Sequence, residues 1–276
     1  LFMKVRYSFS SRRTRNTENM QKQRGKYPLL ILKIIQDSDI ILEILDARFI
    51  EETRNLEIEE QIKEKDKKLI YVLNKSDLLL NQEKKINLSP SILVSCKKRR
   101  DIKKLRDLIK IFSKKIKKPF GEKIIIGIIG YPNTGKSSLI NLLIGKSSAG
   151  VGSEAGFTKG IQKLRLDENI LILDSPGVIP ETQYSHTEKE KISKQTIAGG
   201  RSYSQVKDPE IVVAKIISSY PKILEKFYNI QANGDSEILI EELGRKKGFL
   251  KKGGLVDEDR TAKYILRDWQ TGEIKI

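Results

Sequence analysis

A phosphate-binding loop is the feature that most constrains the fold of this chain. Residues 130–137 read GYPNTGKS; they follow the apolar run 124–129 and precede a segment that favours a helix up to residue 144. A glycine-rich loop between a strand and a helix points backbone N–H groups at phosphate oxygens, and the helix dipole adds to the attraction. The pattern therefore predicts an α/β protein with a nucleotide phosphate site at the end of a strand.

Apolar runs alternate with charged or amphipathic segments on both sides of this loop. We predict strands at 40–45, 69–73, 92–94, 124–129, 161–166 and 170–173, and helices at 51–66, 78–86, 102–116 and 136–144. Near-continuous apolar strands separated by helices are typical of a parallel sheet covered on both faces. After about residue 189 the pattern indicates helices only, at 211–219, 222–228, 237–243 and 257–269. We expect a basic arm at 1–26, an α/β domain at 27–188 and a helical domain at 189–276.

A second motif, Asn74-Lys75-Ser76-Asp77, directly follows the predicted strand 69–73 and indicates a guanine-nucleotide site. A carboxylate such as Asp77 accepts two hydrogen bonds from guanine, whereas adenine lacks that pair of donors. The stem of Lys75 is expected to pack on the base. Ser95-Cys96-Lys97, after the next strand, resembles a loop that contacts the guanine oxygen through backbone N–H groups, and a small buried thiol fits there.

The phosphate loop and a DxxG motif supply the expected phosphate and metal ligands. Lys136 is expected to reach the β- and γ-phosphates, and the Ser137 hydroxyl to bind Mg²⁺. Asp174-Ser175-Pro176-Gly177 follows the strand 170–173, so that Asp174 supports Mg²⁺ and the Gly177 N–H meets the γ-phosphate. The remaining nucleotide-binding candidates are Asn133, Thr134, Gly135 and Ser138, and Thr158 is the candidate switch threonine that closes on Mg²⁺.

The order of these motifs resembles that of circularly permuted GTPases that assist ribosome assembly, of the YlqF/RbgA type and with nucleolar relatives. In most GTPases the phosphate loop comes first, whereas here the base motif precedes it. Asp46-Ala47-Arg48, followed by Arg54-Asn55, and a C-terminal stretch with Gly253-Gly254 and Trp269 are also similar to that family. The resemblance covers residues 36–276 and implies a circularly permuted P-loop GTPase domain, a mostly parallel sheet and a small all-helical C-terminal domain.

The resemblance implies GTP or GDP and Mg²⁺ as ligands, with Asn133, Lys136 and Thr158 as catalytic residues. Val178 stands where small GTPases carry a water-orienting glutamine, so we expect slow turnover that a partner or an ion stimulates. GTPases with Asn at the position of Asn133 often use K⁺ in place of an arginine finger; the alternative is that Asn133 only shapes the loop. For His186 we favour an exposed position in a loop over a position near the γ-phosphate.

The charge balance favours a polyanionic partner. The net charge is +17 and the pI about 9.7, while aromatic residues make up only 7% of the chain. Lysine-rich runs at 97–100, 114–118, 246–247 and 251–252 indicate backbone contacts with duplex RNA more than base stacking. The arm is either a solvated tail or a segment that orders on RNA.

Together with the resemblance, the charge implies ribosomal RNA and a large ribosomal subunit precursor as partners. The alternative is an RNA-binding placeholder with negligible turnover. The apolar runs fall short of about 20 residues, so we expect no membrane span. A single cysteine suits a cytoplasmic protein, and we expect a monomer. The polar link 178–198 is expected to become ordered with GTP.

Overall fold

The computed structural model describes residues 26–80, 86–145, 162–175 and 189–276. Within these ranges one sheet has the strand order β3-β2-β1-β4-β6-β5. Its strands are β1 (Ile40–Asp46), β2 (Lys68–Asn74), β3 (Ser91–Leu93), β4 (Ile124–Gly130), β5 (Gln162–Arg165) and β6 (Ile170–Asp174). Every neighbouring pair is parallel except β5 with β6. The predicted mostly parallel sheet is confirmed. Strands β1 to β3, with the base motif, come before β4 and its phosphate loop in the chain, so the domain is circularly permuted.

Helices cover both faces of the sheet because its strands are apolar on both faces. They are α1 (Lys26–Asp37), α2 (Ile50–Thr53), α3 (Leu56–Glu64), α4 (Ile102–Lys114) and α5 (Lys136–Ile144). Side chains of α4 and α5 share one core with β1, β2, β4 and β6, and side chains of α1 and α3 form a second core on the opposite face. This sandwich holds the carboxyl ends of the parallel strands at one edge.

The C-terminal part is helical, as predicted. It comprises α6 (Lys189–Ile197), α7 (Pro209–Ser219), α8 (Ile223–Tyr228), α9 (Ser236–Lys247) and α10 (Glu258–Thr271). Its core surrounds the fully buried Trp269 and also takes in Phe49, which follows β1; the two ring centroids lie 5.9 Å apart. No helix in the described ranges has the length and apolarity to cross a membrane.

Two predicted helices are wrong in extent. The segment 51–66 is broken between α2 and α3, because the Asn55 side chain accepts a hydrogen bond from the Ile58 N–H and starts a new helix there. The segment 78–86 begins as a 3₁₀ turn over Ser76–Leu78; Leu79 is extended and the Leu80 N–H donates to the carbonyl of Ile276. Residues 81–85 lie outside the described ranges.

Two helices were not predicted. Helix α1 overlaps the start of the expected α/β domain, and α6 lies in the link expected to be ordered only with GTP. The described part of the link is packed, because Thr196 is fully buried and its carbonyl accepts a hydrogen bond of 2.7 Å from Gln270 Nε2. Ordering of the link by GTP stays a prediction.

Candidate nucleotide-binding site

The predicted motifs meet at the carboxyl edge of the sheet. Asp46, Asn74, Gly130 and Asp174 are the last residues of β1, β2, β4 and β6, which are adjacent in the strand order. In open α/β sheets, ligands bind in the crevice outside this edge. The topology thus brings together runs that are 128 residues apart in the chain, from Asp46 to Asp174.

The phosphate loop has the backbone conformation that its sequence requires. Asn133 and Gly135 have positive φ angles of 60° and 94°, and the Thr134 hydroxyl donates to the Tyr131 carbonyl at 2.9 Å. A Cβ added to Gly135 would lie 2.3 Å from the Asn74 Nδ2 atom. Glycine is therefore required at position 135 both for its φ angle and for the approach of the base motif.

Asn74 connects the base motif to the two other loops. Its Nδ2 donates to the Thr134 carbonyl at 2.8 Å, and its Oδ1 accepts from the Cys96 N–H at 3.1 Å. The side chain is buried. One amide therefore fixes the phosphate loop and the 95–97 loop relative to each other. Asparagine suits this position because its side chain has both a donor and an acceptor.

Asp77 and the 95–97 loop form the second half of the base region. Ser95 Oγ donates to Asp77 Oδ1 at 2.5 Å and accepts from the Lys98 N–H at 3.0 Å. Asp77 is half-buried, so its carboxylate is oriented and still accessible. Burial raises the pKa of the Cys96 thiol to about 12, so the thiol is protonated at neutral pH. The Lys97 side chain is exposed.

Lys75 contacts a charged group that sequence reasoning did not assign to the site. Its Nζ lies 2.8 Å from Asp46 Oδ2, which Arg48 Nη2 also approaches at 2.9 Å. Burial alone would raise the pKa of Asp46, but the charges of Lys75 and Arg48 hold it well below its usual range. Arg48 Nη1 also donates to the Trp269 carbonyl at 3.1 Å, near the end of α10. The cluster connects the base motif to the helical region.

Lys136 and Asp174 are the charged groups at the phosphate loop. Lys136 Nζ donates to the carbonyls of Gly130 and Tyr131 at 3.0 and 2.8 Å, and burial lowers its pKa to about 8. Burial raises the pKa of Asp174 to about 6, although the Lys136 charge opposes that shift. Asp174 Oδ1 is buried and has no hydrogen-bond partner in the described part of the chain.

These residues fit a magnesium–phosphate group. An anion near Lys136 and a cation near Asp174 would each offset the cost of burying a charge. Ser137 follows Lys136 at the first turn of α5 and is half-buried, so its hydroxyl is available to a ligand. Ser138 is half-buried next to it.

Asn133 makes a contact that neither sequence alternative included. Its Nδ2 donates to the Gly199 carbonyl at 2.8 Å, just beyond α6. Next to it, a Cβ on Gly200 would lie 2.5 Å from the hydroxyl of the buried Tyr131. The phosphate loop is thus packed directly against the helical region. Coordination of K⁺ by Asn133 stays a prediction.

Some predicted residues lie outside the described ranges, namely Thr158, Gly177, Val178 and His186. Conversely, three residues that were not predicted at the site adjoin it: Asp46, Arg48 and Gly199. Asp46 could have been found, because it ends a buried strand and pairs in register with Asn74. Gly199 had no such signal, since it follows a helix far along the chain.

Comparison with known proteins agrees with this geometry. Residues 125–240 match the family model described as 50S ribosome-binding GTPase. A GTP-binding protein of Methanocaldococcus jannaschii is 40% identical over 253 residues, which cover 89% of this chain and 65% of that protein. Nucleolar GTP-binding protein 2 of Saccharomyces cerevisiae is 35% identical over 259 residues, 88% of this chain and 51% of that protein. The chain therefore spans about half to two thirds of these relatives.

Among solved structures, GNP-bound YlqF from T. maritima superimposes with a TM-score of 0.58 over 92% of this chain and 94% of that one. The identity is 23%, so this likeness concerns the fold.

Proposed function

This chain has the fold of circularly permuted GTPases and carries a domain that matches the 50S ribosome-binding GTPase family, and from that premise we propose that it binds and hydrolyses GTP during assembly of the large ribosomal subunit. The observation that carries the proposal is the position of Asn74. Its amide joins the phosphate loop to the loop that follows β3, which is the arrangement a guanine nucleotide spanning both loops needs.

In this proposal each half of the nucleotide has its own set of residues. The base is bound by Asn74, Lys75, Asp77, Ser95, Cys96 and Lys97, and the phosphates by Asn133, Thr134, Gly135, Lys136, Ser137, Ser138 and Gly177. Asp77 selects guanine because adenine lacks the pair of donors that guanine offers to its carboxylate. The contact of Lys75 with Asp46 fixes the lysine stem, so that its methylene groups are held at the site of the base.

The phosphate half carries the chemistry. Lys136 exchanges the carbonyls of Gly130 and Tyr131 for phosphate oxygens, and its charge and the loop N–H groups stabilise negative charge on the phosphates during transfer to water. Mg²⁺, when bound, neutralises phosphate charge; Ser137, Asp174 and Thr158 would hold it. The assignment of Asp174 is supported by its buried Oδ1 atom, which has no hydrogen-bond partner in the described ranges and would gain one in a bound cation.

Intrinsic hydrolysis is proposed to be slow. The Val178 side chain has no polar atom to orient water, so stimulation by a subunit or by K⁺ near Asn133 is required. An RNA-binding placeholder with negligible turnover is the second candidate, and the same Val178 favours it.

The partners proposed are ribosomal RNA and the large-subunit precursor, bound in a nucleotide-dependent way. Residues 27–188 act as the GTPase domain, 189–276 as the helical domain that docks on the particle, and 1–26 as a basic arm. We expect a monomer that acts in the cytoplasm, although the yeast relative is nucleolar by name.

Two measurements on the full chain test this function. Co-sedimentation with large ribosomal subunits should be stronger with a non-hydrolysable GTP analogue than with GDP, and turnover should rise when subunits are added. Lys136→Ala should lose both effects, because it removes the phosphate contact. Nucleotide-dependent sedimentation without any turnover would favour the placeholder, and equal sedimentation in both nucleotides would refute the proposal.

A further inference from the structure

The net positive charge of this chain is confined to two stretches. Residues 97–118 contain twelve Lys and Arg and two Asp, a net charge of +10, and residues 1–26 contain eight basic residues and one acidic, a net charge of +7. The rest of the chain contains 33 basic and 33 acidic residues. The charge of +17 is therefore not a general surface property, and most of it lies in one described segment.

This segment starts beside the candidate base region and continues through α4. The 97–100 turn follows Ser95 and is closed by a β-bridge between Ser95 and Arg100. Helix α4 then buries Ile102, Leu105 and Ile109 against the sheet, which turns its lysines outward. We call the exposed basic residues of this segment the α4 basic face: Lys97, Lys98, Arg99, Arg100, Lys103, Lys104, Lys110, Lys114, Lys115 and Lys117.

Two further basic residues of the segment have structural roles and are not part of this face. Arg106 Nη2 donates to the carbonyls of Leu142 and Leu143 at the end of α5, and Lys118 Nζ lies 2.7 Å from Asp39. These contacts within the chain explain why positions 106 and 118 are basic, so no partner molecule is needed to account for them. The exposed lysines of α4 require another explanation.

The charges on the α4 basic face are poorly neutralised. Lys104 pairs with Asp101 and Lys97 lies 3.7 Å from Glu273, but Lys103, Lys110 and Lys114 form no ion pair within the described ranges. Some basic residues of the helical region pair one turn along the helix, as in Arg245–Glu241 and Lys263–Asp259. Like charges one turn apart, such as Lys110 and Lys114, destabilise a helix slightly. An external polyanion would remove that repulsion.

We propose that the α4 basic face binds the phosphate backbone of duplex RNA. This proposal rests on the proposed function, because the face would supply the contact with ribosomal RNA. A helix of 13 residues is about 20 Å long. Along that length a nucleic-acid duplex carries on the order of ten phosphate charges. Lys103, Lys110 and Lys114 span about 17 Å along this helix, so several phosphates of one duplex lie within reach of the lysines.

Duplex RNA fits this face better than a membrane or unpaired bases. A membrane-binding helix inserts its apolar face, whereas the apolar face of α4 is already in the core and Ile111 is its one large apolar side chain more than half exposed. Base stacking needs free aromatic rings, but the ring of Phe112 is half-buried with the Lys68 and Lys115 ammonium groups over it.

Two matched triple variants of the full chain test the proposal. The first is Lys103→Gln, Lys110→Gln and Lys114→Gln; the control is Lys33→Gln, Lys63→Gln and Lys65→Gln, three exposed lysines on α1 and at the end of α3, on the opposite face of the sheet. Both remove the same charge. Binding to a labelled RNA duplex of mixed sequence is titrated between about 50 and 200 mM salt, alongside binding to vesicles containing phosphatidylserine and to a GTP analogue.

We expect the α4 variant to lower the slope of log affinity against log salt by about 2 to 3 and to weaken binding at least about tenfold, while the control changes the slope by less than about 1. Equal effects of the two triples on RNA would overturn the proposal, as would a loss of vesicle binding with RNA binding intact. Both variants should bind the GTP analogue as the wild type does. Failure of the wild type to bind the analogue would refute the proposed function instead, independently of the RNA result.

Discussion

The buried carboxyl of Glu43 should make this protein less stable as the pH rises. Glu43 lies in the middle of β1 and is fully buried; its Oε1 accepts from the Asn55 N–H at 3.0 Å, and its Oε2 has no partner in the described ranges. Burial, reinforced by the charge of Glu59, raises its pKa from 4.5 to about 8. Glu59 is itself held ionised by Arg54 and Tyr71, each at 2.7 Å. Glu43 is therefore protonated in the folded protein at neutral pH.

The sign of the effect follows from proton uptake on folding. Between pH 4.5 and about 8 the folded state holds a proton that the unfolded state has released, so the free energy of unfolding falls as pH rises through that window. The limiting slope for one group is about 1.4 kcal/mol per pH unit. Because Glu59 shares the interaction and the site relaxes, we expect about half of that, or roughly 1.5 kcal/mol between pH 6 and 8.

Urea unfolding of wild type, Glu43→Gln and Glu60→Gln at pH 6 and 8 measures this effect. Glutamine has the shape of the protonated carboxyl group but does not titrate, so between pH 6 and 8 Glu43→Gln should lose much less stability than the wild type. Glu60 is exposed on α3, and its variant should behave as the wild type does. If Glu43→Gln and the wild type lose the same amount, Glu43 is not the group responsible and the reasoning fails.

Four further outcomes are expected at the nucleotide site and the arm. Asp77→Asn should shift preference from GTP toward xanthosine triphosphate, because an amide can donate to the xanthine carbonyl; unchanged GTP affinity would contradict the base assignment. GTP hydrolysis should be faster in K⁺ than in Na⁺, and Asn133→Gly, which tolerates the φ of 60°, should remove the difference; equal rates in the wild type would exclude this role. Nucleotide affinity measured with Mg²⁺ should weaken as the pH falls through about 6, where Asp174 gains a proton, and a flat profile would argue against Asp174 as a ligand. Deleting residues 1–26 should reduce the salt slope of RNA binding and leave GTP binding intact; unchanged RNA binding would make the arm a passive tail.

Local sequence patterns predicted the sheet well because its strands are continuous apolar runs. Each of the six strands of the described ranges was predicted to within about two residues, and α5 matches at both ends. Helix α1 was missed because the run 29–35 reads LLILKII, in which strand and helix periodicities are both possible. The segment forms a helix because that conformation lets Ile31, Ile34 and Ile35 pack together on the sheet.

Where prediction failed, a distant contact decided the local structure. Leucines at 78–80 favour a helix, yet the 3₁₀ turn ends at Leu78 and Leu79 is extended, because Leu78 and Leu80 pair with the backbone of Ile276. The contact between Arg48 and Trp269 joins residues 221 positions apart. Neither partner carries a local signal of the other, so the motifs of the site were predictable but the connections between the site and the helical region were not.

Those connections change how the nucleotide site and the helical region must communicate. From the sequence, the expected coupling ran through the polar link 178–198, the covalent connection from the DxxG motif, which GTP was expected to order. In addition, Asn133 donates to the Gly199 carbonyl, and Trp269 Nε1 donates to the Ile197 carbonyl at 3.1 Å while its own carbonyl accepts from Arg48. Any movement of the phosphate loop that displaces Asn133 must carry Gly199 with it or break a 2.8 Å hydrogen bond. The position of the helical region is therefore set by packed contacts from two loops of the site, and the link is a third connection among them.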